Sequence, residues 1–327
     1  MSATGVGARP RVSVCIRAWN RPEGLAATIA SVLGQTYEDF EVVVSDDSGG
    51  LDAVTDRFDD PRVRYHRNPA PAGPAANLAR VIGLANGPLL AILNDDDLWH
   101  PGFLATTVGV LDAHTDVGIA FTDDWFDVEG RRIRRRLPFA PGRHESFLRS
   151  LLEHGMPASA TVMRRAVWDE GERAVPITPG MVGDRAVWLR SAAAGWPFYY
   201  VDEPLAVSRI HPRQLSWSEE GLAARMIATH DAFRFEDAEC EALRRARLAE
   251  FLLARSGVHL RHRRPRAAWA DAARAHREAP RTLGLRALLA LTGVRGTAMR
   301  WGSAHPRLLV AALGLWRRLR PPVLPAP

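Results

Sequence analysis

Apolar positions in the first hundred residues follow two alternating periods. Short runs rich in Val, Ile and Leu are separated by segments in which apolar residues recur every three to four positions. The first pattern is typical of buried strands, and the second is typical of helices that pack on one face. Strands are therefore predicted over residues 12–16, 40–44, 63–68 and 88–93, with helices between them over 21–35, 51–58 and 73–87. This alternation predicts an α/β fold with a mostly parallel central sheet flanked by helices.

The second half of the chain shows a different pattern. Residues 118–137 are predicted to form a hairpin with its tip near Glu129, and further strands are predicted over 159–165 and 198–211, with helices over 144–155 and 183–196. From about Glu219 to Arg318 the chain is rich in arginine and alanine and helical in pattern, with breaks at Pro265, Pro280 and Pro306. We therefore predict a flexible N-terminus over residues 1–10, one α/β domain over 11–216 and a helical C-terminal region over 217–327.

Polar clusters follow three of the predicted strands. They are Trp19-Asn20-Arg21, Asp46-Asp47 and Asp95-Asp96-Asp97. In parallel sheets, ligands bind outside the carboxyl ends of the strands, so these clusters are predicted to line one crevice. Three adjacent aspartates repel one another and lose hydration when they are enclosed, and a cation would offset both effects. The alternative is an acidic turn that is solvated at the end of a strand.

Composition and charge narrow the class of protein. Of 327 residues, 46% are hydrophobic, the formal net charge is +6 and all 43 basic residues are arginine. Coding bias explains this arginine content, and contact with phosphates or anionic surfaces is the functional alternative. Two distant cysteines, no signal-peptide pattern and no apolar run long enough to span a bilayer predict a cytoplasmic protein. A dinucleotide-dependent dehydrogenase is disfavoured because residues 17–24 lack the glycine fingerprint.

Three blocks of the sequence together resemble the family 2 glycosyltransferases of the GT-A fold. They are residues 12–48 (VSVCIRAWNRPEGLAATIASVLGQTYEDFEVVVSDDS), 94–104 (NDDDLWHPGFL) and 183–216 (GDRAVWLRSAAAGWPFYYVDEPLAVSRIHPRQLS). The resemblance implies an inverting transferase that uses a nucleotide-diphosphate sugar, with a UDP or TDP sugar expected, together with Mn²⁺ or Mg²⁺. It covers about two thirds of the chain and leaves the C-terminal third without a signature. It does not identify the acceptor.

The resemblance also implies roles for individual residues. Asp184 is expected to be the catalytic base that takes a proton from the acceptor hydroxyl, and Asp97, Asp95 and His211 are expected to face the metal. The expected nucleotide-sugar contacts are Ala18, Trp19, Arg21, Asp46, Asn77, Asp95 and Asp96. Two of these residues also have structural alternatives: Asp184 could cap a helix, and His211 could be an ordinary surface residue. An arginine that usually precedes the asparagine in this family is replaced by Ala76, so one expected phosphate contact is either missing or supplied by Arg67 or Arg80.

Two readings of the basic segments and one rival function stay open. Residues 131–136 and 261–266 are arginine-rich and could both be solvated surface. Alternatively, the first could meet an acidic or lipid-phosphate acceptor, and the second, with the basic C-terminus, could make peripheral contact with an anionic membrane at its inner face. No nucleic-acid partner is expected, because no recognition module accompanies the charge. The rival function is a catalytically silent relative that binds a nucleotide sugar or a partner protein.

Overall fold

The computed structural model of the protein describes residues 9–211 and 219–280. Its described residues divide into two compact units. The first comprises residues 9–127, 131–209 and 232–243, and the second comprises residues 128–130, 210–211, 219–231 and 244–280. The proposed domain limits at 10 and 216 stay predictions, as residues 1–8 and 212–218 lie outside the described ranges.

A ten-stranded sheet forms the centre of the first unit. Its strands are β1 (Val12–Ala18), β2 (Phe40–Asp46), β3 (Val63–Arg67), β4 (Leu89–Asn94), β5 (Leu98–Trp99), β6 (Ile119–Val128), β7 (Arg131–Arg135), β8 (Gly142–His144), β9 (Thr161–Arg164) and β10 (Phe198–Ile210). The order is β3-β2-β1-β4-β9-β6-β10-β5, with β7 paired to β6 and β8 to β10. Strands β1 to β4 are parallel, whereas β9 runs antiparallel to both β4 and β6. The sheet is therefore mixed, and its parallel half is the half that the sequence pattern predicted.

The described residues of the two units form ten α-helices. They are α1 (Pro22–Leu33), α2 (Asp52–Thr55), α3 (Pro74–Leu84), α4 (Phe103–Ala113), α5 (Leu148–Glu153), α6 (Arg165–Ala174), α7 (Gly183–Ala193), α8 (Glu219–Asp231), α9 (Ala238–Arg261) and α10 (Pro265–Glu278). A single 3₁₀ turn, Ala158–Ala160, precedes β9. Helices α4 and α6 were not predicted from the sequence.

Alternate residues of the central strands pack into two hydrophobic clusters. In β4, Leu89, Ala91 and Leu93 join one cluster, while Leu90 and Ile92 join the other, as expected for side chains that alternate across a pleated strand. Helices α1 and α4 pack in the first cluster, and helices α3 and α7 pack in the second. This burial fixes the register of β1, β2 and β4. The polar residues that follow these three strands are therefore held at the same end of the sheet.

The second unit contains the helical part of the chain. Its own apolar cluster joins residues of α8, α9 and α10, including Ile227, Leu252 and Ala275. The described part of this region therefore confirms the prediction of helices from Glu219 onward. Pro265 stands at the first turn of α10, where its missing N–H costs no hydrogen bond. Pro306, the third predicted break, lies outside the described residues.

Two further features bear on the chemistry of the chain. Cys15 and Cys240 are both buried and free, and burial raises the pKa of Cys15 to about 12 and that of Cys240 to about 11. Within the described ranges, no helix is long and apolar enough to cross a membrane.

Candidate functional site

The ends of three parallel strands bring the predicted clusters together. Ala18, the last residue of β1, lies opposite Asp46 of β2, and Arg17 lies opposite Asn94 of β4. Asp95, Asp96 and Asp97 follow Asn94 directly, and all three are buried. The three clusters therefore share one edge of the sheet, as the sequence pattern predicted.

Asp95 connects the turn after β4 to the turn after β1. Its Oδ2 accepts a hydrogen bond from the Trp19 backbone N–H at 2.7 Å, and its Oδ1 accepts one from Arg21 Nη1 at 2.8 Å. Arg21 Nη1 also lies 3.3 Å from Asp96 Oδ2, so one guanidinium faces two carboxylates. The Trp19 side chain is 46% exposed at this edge, as a residue that stacks on a ligand would be.

Asp97 is held by groups that the sequence pattern did not single out. Its Oδ2 accepts hydrogen bonds from Ser159 Oγ at 2.5 Å and Asn94 Nδ2 at 2.9 Å, and its Oδ1 accepts one from the Arg209 backbone N–H at 3.1 Å. Burial, followed by the charge of Asp96, raises the pKa of Asp97 to about 7 despite these bonds. Burial and Asp96 likewise raise the pKa of Asp95. Burial and the adjacent Asp96 therefore disfavour the ionised forms of Asp95 and Asp97 when no cation is bound.

The donor set of this cluster fits a hard divalent cation. A carboxylate offers about four lone pairs, and Asp95 and Asp97 use two and three of them in the hydrogen bonds above. Oxygen ligands of this kind are those that Mg²⁺ and Mn²⁺ take, and Mg²⁺ is commonly held by only one or two carboxylates together with substrate phosphates. Among the residues that the structure describes, no three His, Cys, Asp or Glu side chains form a complete metal cage. A cation here would accordingly need ligands from a bound substrate.

Arg17 links the turn that contains Asp95, Asp96 and Asp97, here called the aspartate turn, to Asp184 of α7. Its Nε donates to Asn94 Oδ1 at 3.0 Å, and its Nη2 donates to Asp184 Oδ2 at 3.1 Å. Asp184 lies in the first turn of α7, where its Oδ1 also accepts the Arg185 backbone N–H at 2.8 Å. This second bond joins neighbouring residues and is not a helix cap, because the N-cap residue of α7 is Val182 and the helix has no side-chain cap bond. The structural alternative of Asp184 as a helix cap is therefore not what the structure shows. The structure thus brings Asp184 to the same edge of the sheet as the aspartate cluster.

Asp46 is enclosed by the turn that follows β2. Its carboxylate accepts hydrogen bonds from the backbone N–H groups of Ser48, Gly50 and Leu51 and from the hydroxyls of Ser48 and Tyr65, at 2.6 to 3.0 Å. Burial by itself would raise the pKa of Asp46, but these bonds stabilise the ionised form and hold the pKa well below its usual range. Asp46 therefore shapes the turn, whatever it contacts in a ligand.

Asp47 and Asn77 connect the segment before α3, and α3 itself, to the end of β2. Asp47 accepts hydrogen bonds from Asn68 Nδ2 and from the backbone N–H groups of Ala72 and Gly73, each at 2.8 Å. Asn77 is buried in α3, where its Nδ2 donates to the Ser45 carbonyl at 3.1 Å. These bonds position the segment before α3, and the predicted contact of Asn77 with a nucleotide sugar stays a prediction.

Arg67 occupies the end of β3 beside the Asp46 turn. It lies opposite Asp46 in the register, and its side chain packs on Gly49, where an added Cβ would fall 2.8 Å from the Arg67 Nε. Gly49 has a φ of +73°, a conformation that glycine adopts without strain. Arg67, an exposed residue, is thus placed beside the predicted base-binding edge, whereas Arg80 lies in α3.

Helix α1 and strand β10 support the aspartate turn from the other side. Gly24 of α1 packs so closely that an added Cβ would lie 2.7 Å from the Asp95 carbonyl oxygen. The Arg209 guanidinium donates to the Asp96 carbonyl and, at 3.3 Å, to the Gly24 carbonyl. His211, which follows β10, belongs to the second unit, and its contact with a metal stays a prediction.

Part of the basic segment 131–136 has a structural role. Arg134 and Arg135 of β7 form ion pairs with Asp123 and Asp124 of β6, whose side chains are fully buried. These two arginines balance the buried carboxylates, so they do not form a free basic surface. Arg132 and Arg136 remain more than half exposed and keep the alternative of an acidic acceptor open.

Comparison with known proteins adds a sequence match and a fold match. Residues 13–171 match the model of glycosyl transferase family 2. The putative glycosyltransferase EpsE of Bacillus subtilis is 29% identical over 209 residues, which cover 60% of this chain and 72% of EpsE. The match covers less than half of the length of most of the curated relatives compared, and as little as 14% of one of them.

Two solved structures have the same fold over most of their length. S. aureus TarS 1–349, solved in complex with UDP-GlcNAc, has a TM-score of 0.65 at 17% identity, with 90% of this chain and 92% of that chain covered. The mannosyltransferase PcManGT of Pyrobaculum calidifontis, solved in complex with GDP-Man and Mn²⁺, has a TM-score of 0.56 at 19% identity, with 95% and 88% covered. At these identities the likeness concerns the fold alone.

Proposed function

We propose that the chain belongs to glycosyl transferase family 2, whose model residues 13–171 match, and that it transfers a sugar from a nucleotide-diphosphate donor to a hydroxyl group of an acceptor. The observation that carries the proposal is the convergence of the buried aspartate cluster and Asp184 on one edge of the sheet, linked through Arg17 and Asn94. The transfer inverts the anomeric centre, with one carboxylate on the acceptor side and the acidic cluster on the donor side.

Asp184 acts as the base in this proposal. It takes the proton of the acceptor hydroxyl as that oxygen attacks the anomeric carbon and the bond from that carbon to the diphosphate breaks. Arg17 fixes the orientation of the Asp184 carboxylate through its Nη2 bond, 3.1 Å long. The local bond to the Arg185 N–H supports the same orientation from the helix side.

The donor side is formed by the three strand ends. Trp19, Arg21 and Ala18 line the nucleotide, Asp46 and Asn77 lie toward the base, and Asp96 lies with Asp95 toward the ribose and phosphates. Asp97 and Asp95 would hold Mn²⁺ or Mg²⁺, which when bound stabilises the negative charge of the departing diphosphate. A nucleotide-sugar donor and a metal are supported by structures of the same fold: TarS was solved with UDP-GlcNAc, and PcManGT with GDP-Man and Mn²⁺. The expected choice of a UDP or TDP sugar is part of the proposal. The acceptor and a cytoplasmic location stay predictions.

The donor site is tested by calorimetric titration of the full chain with UDP, TDP and GDP, with and without Mn²⁺. We expect one nucleotide to bind in a Mn²⁺-dependent way and to lose at least ten-fold in affinity in Asp97→Asn and in Asp96→Asn. Asp96→Asn is included because Asp97 has more buried partners, so the Asp97 variant carries a larger risk of unfolding. Asp169→Asn, an exposed position on α6, is the matched control and should bind as the wild type does. Absence of nucleotide binding in the folded wild type would favour a relative that binds only a partner protein.

The catalytic role of Asp184 is tested separately. In Asp184→Asn, nucleotide binding should persist while release of the nucleoside diphosphate in the presence of an acceptor panel falls by about 10²- to 10⁴-fold, the usual contribution of a general base. Equal rates in the variant and the wild type would contradict the assignment. Binding without transfer in the wild type, over a broad acceptor panel, would favour the silent nucleotide-sugar-binding relative.

A further inference from the structure

One side of helix α10 carries an exposed tryptophan together with arginines for which the described residues show no acidic partner. Trp269 is 77% exposed and Leu260, at the end of α9, is 52% exposed. In the described part of the chain the remaining exposed large apolar side chain is Trp19, which lies at the candidate site. A tryptophan so exposed places a large apolar surface in water, which is costly unless another surface covers it.

Apart from Pro265, the exposed residues of α10 follow helical spacing together with the half-buried Ala273. Residues 266, 269, 270, 273, 276 and 277 fall within one stripe of about 120° at 3.6 residues per turn. We call this stripe the outer face of α10; its members are Arg266, Trp269, Ala270, Ala273, His276 and Arg277. Ala268, Asp271 and Ala275 lie on the opposite side of the helix and are buried. The helix is therefore amphipathic in an unusual sense, since its exposed side carries both a large aromatic ring and cationic groups.

Acidic residues of α10 do not offset this charge. Asp271 is buried and accepts two hydrogen bonds from Arg255 of α9, at 2.7 and 2.8 Å. Glu278 accepts a hydrogen bond from Arg245 of α9 at 3.2 Å. Both carboxylates of α10 thus pair with arginines of α9, and the outer face itself contains no Asp or Glu.

The segment between α9 and α10 extends the same chemistry. Residues 261–266 read RHRRPR, and Arg263 and Arg266 are exposed. Arg264 is bound by Glu220 of α8 through two hydrogen bonds at 2.8 and 2.9 Å, which helps to hold the turn in place. Leu260 lies two residues before this turn and Trp269 lies five residues after it, so exposed apolar and basic groups alternate along a short stretch of chain.

We propose that the outer face of α10, with Leu260 and Arg263, docks on the surface of an anionic lipid bilayer. An indole is favoured at the boundary between headgroups and acyl chains, because its ring is apolar and its N–H can remain hydrated. Arginines around it gain from the negative potential of acidic lipids, and their long stems let the guanidinium groups reach the headgroups. The helix would lie in the plane of the interface and would not cross it. This inference concerns the second unit and does not depend on the proposed catalysis.

Binding of the full chain to vesicles tests the proposal. The probes are sedimented vesicles of phosphatidylcholine alone and of phosphatidylcholine with about one third phosphatidylglycerol, in about 0.15 M salt. We expect binding to the anionic vesicles and weak or no binding to the neutral ones, with further weakening in about 0.5 M salt because screening shortens the range of the attraction. Binding that is equal for both lipids would contradict the role of charge.

Two variants separate the aromatic and the basic contributions. Trp269→Ala should lower the partition coefficient by about ten-fold, because it removes apolar area from the interface. Arg266→Gln with Arg277→Gln should lower it by about 30-fold, since each arginine near an acidic membrane contributes about five-fold. The matched control is Arg57→Gln with Arg173→Gln, which removes equal charge from exposed positions of the first unit and should change binding less than two-fold.

Several outcomes would overturn the proposal. Wild-type binding that persists in the α10 variants would assign the membrane contact to another part of the chain, such as the arginines beyond residue 280. A change of oligomeric state in Trp269→Ala, measured by analytical ultracentrifugation, would assign the face to a second copy of the chain. Tight binding of an RNA or DNA 20-mer that the α10 variants abolish, without vesicle binding, would assign it to nucleic acid. All of the substituted side chains are exposed, so melting temperatures near that of the wild type are expected.

Discussion

At the scale of single residues, Asp46 shows how a ligand-binding position can also have a structural role. Its carboxylate is buried and accepts hydrogen bonds from the backbone of Ser48, Gly50 and Leu51. Several N–H groups that converge on one carboxylate form the kind of site in which an ionised group is favoured without a nearby cation. The turn after β2 therefore depends on the ionisation of a residue that the family resemblance assigns to the nucleotide base.

The low pKa of Asp46 gives a prediction about acid stability. A carboxylate whose pKa is lower in the folded state contributes stability above its unfolded pKa of about 3.9 and loses it as the pH falls through the folded value. Asp46→Asn should therefore lower the free energy of unfolding by about 2–4 kcal/mol at pH 7, because charged hydrogen bonds are lost. The difference from the wild type should shrink below about pH 4. Urea unfolding at pH 7, 4 and 3 measures it, with Asp169→Asn as the control; a difference that is independent of pH would contradict this account.

Arg67 is the residue we expect to compensate for Ala76. It is exposed and packs on Gly49 beside the Asp46 turn, where its planar guanidinium could stack on a base or pair with a phosphate. Arg67→Ala should weaken nucleotide binding by about ten-fold, which corresponds to about 1.4 kcal/mol. Arg80→Ala tests the competing hypothesis that Arg80 supplies this contact, and Arg57→Ala is the neutral control. A loss in Arg80→Ala together with none in Arg67→Ala would transfer the role to α3.

The sequence predicted some site residues far better than others. Asp95, Asp96 and Asp97 were predictable because they follow an apolar strand. Three adjacent like charges are unfavourable at such a position unless a cation or another group offsets their repulsion. Ser159 and Arg209 were not, because serine and arginine are common surface residues and these two lie 62 and 112 positions from Asp97. Their roles depend on β9 and β10 being placed near β4, which local patterns do not encode.

At the scale of whole elements, helix α1 controls the shape of the aspartate turn. Gly24 lets α1 approach the turn, and a Cβ there would fall 2.7 Å from the Asp95 carbonyl oxygen and 3.3 Å from the Arg21 Cβ. Since that oxygen belongs to the backbone, the contact can be relieved only by moving the helix or the turn. The position therefore tests whether the spacing between α1 and the turn matters for binding.

Gly24→Ala should destabilise the protein, whereas the same substitution at Gly109 of α4 should not. We expect a loss of about 1–3 kcal/mol in the free energy of unfolding, as in other overpacked positions, together with weaker nucleotide binding. Gly109→Ala in α4 is the matched control, because a Cβ there meets no atom within 4 Å and alanine stabilises a helix interior by about 0.5–1 kcal/mol over glycine. Denaturant unfolding of both variants measures the contrast. Similar changes in both would show that helix propensity alone decides the outcome.

Element prediction succeeded in the parallel half of the sheet and was weaker beyond it. Strands β1, β2 and β4 are buried on both faces, so they appear as continuous apolar runs. In β6, buried Asp123 and Asp124 interrupt the apolar pattern, and arginines of β7 compensate for their charge across the hairpin. Helix α4 was missed because it follows the aspartate turn after only a two-residue strand, and such close succession gives no separate local signal.

At the scale of the whole molecule, ligand binding should stabilise the unit that contains the site. A ligand that binds only the folded state, at about 100 times its dissociation constant, adds about 2.7 kcal/mol. For a folding unit of about 150–250 residues, that corresponds to a rise of roughly 5–10 °C in melting temperature. Differential scanning calorimetry with the nucleotide and Mn²⁺ together should show this rise in the wild type, and no comparable rise in Asp97→Asn. A rise of the same size in that variant would place the binding site elsewhere.

The general architecture was also predictable at this scale, and the proposed domain limits stay predictions. Strand–helix alternation was enough to predict an α/β fold, and arginine–alanine periodicity was enough to predict helices after Glu219. The contacts instead place residues 232–243 with the first unit, although they lie within the segment predicted as a separate helical region. Phe233 and Cys240 belong to the apolar cluster of α3 and α7, and their side chains account for that assignment.

Because both native thiols are buried, a fluorophore can be attached selectively to an introduced cysteine to follow nucleotide binding. Cys15 and Cys240 are buried, and their raised pKa values leave very little thiolate at neutral pH, so maleimide reagents should react with them slowly. A cysteine introduced at the exposed position of Trp19 would then be the single fast-reacting thiol among the described residues. A fluorophore attached there would stand at the edge of the crevice, where its emission could report the arrival and departure of a nucleotide in real time.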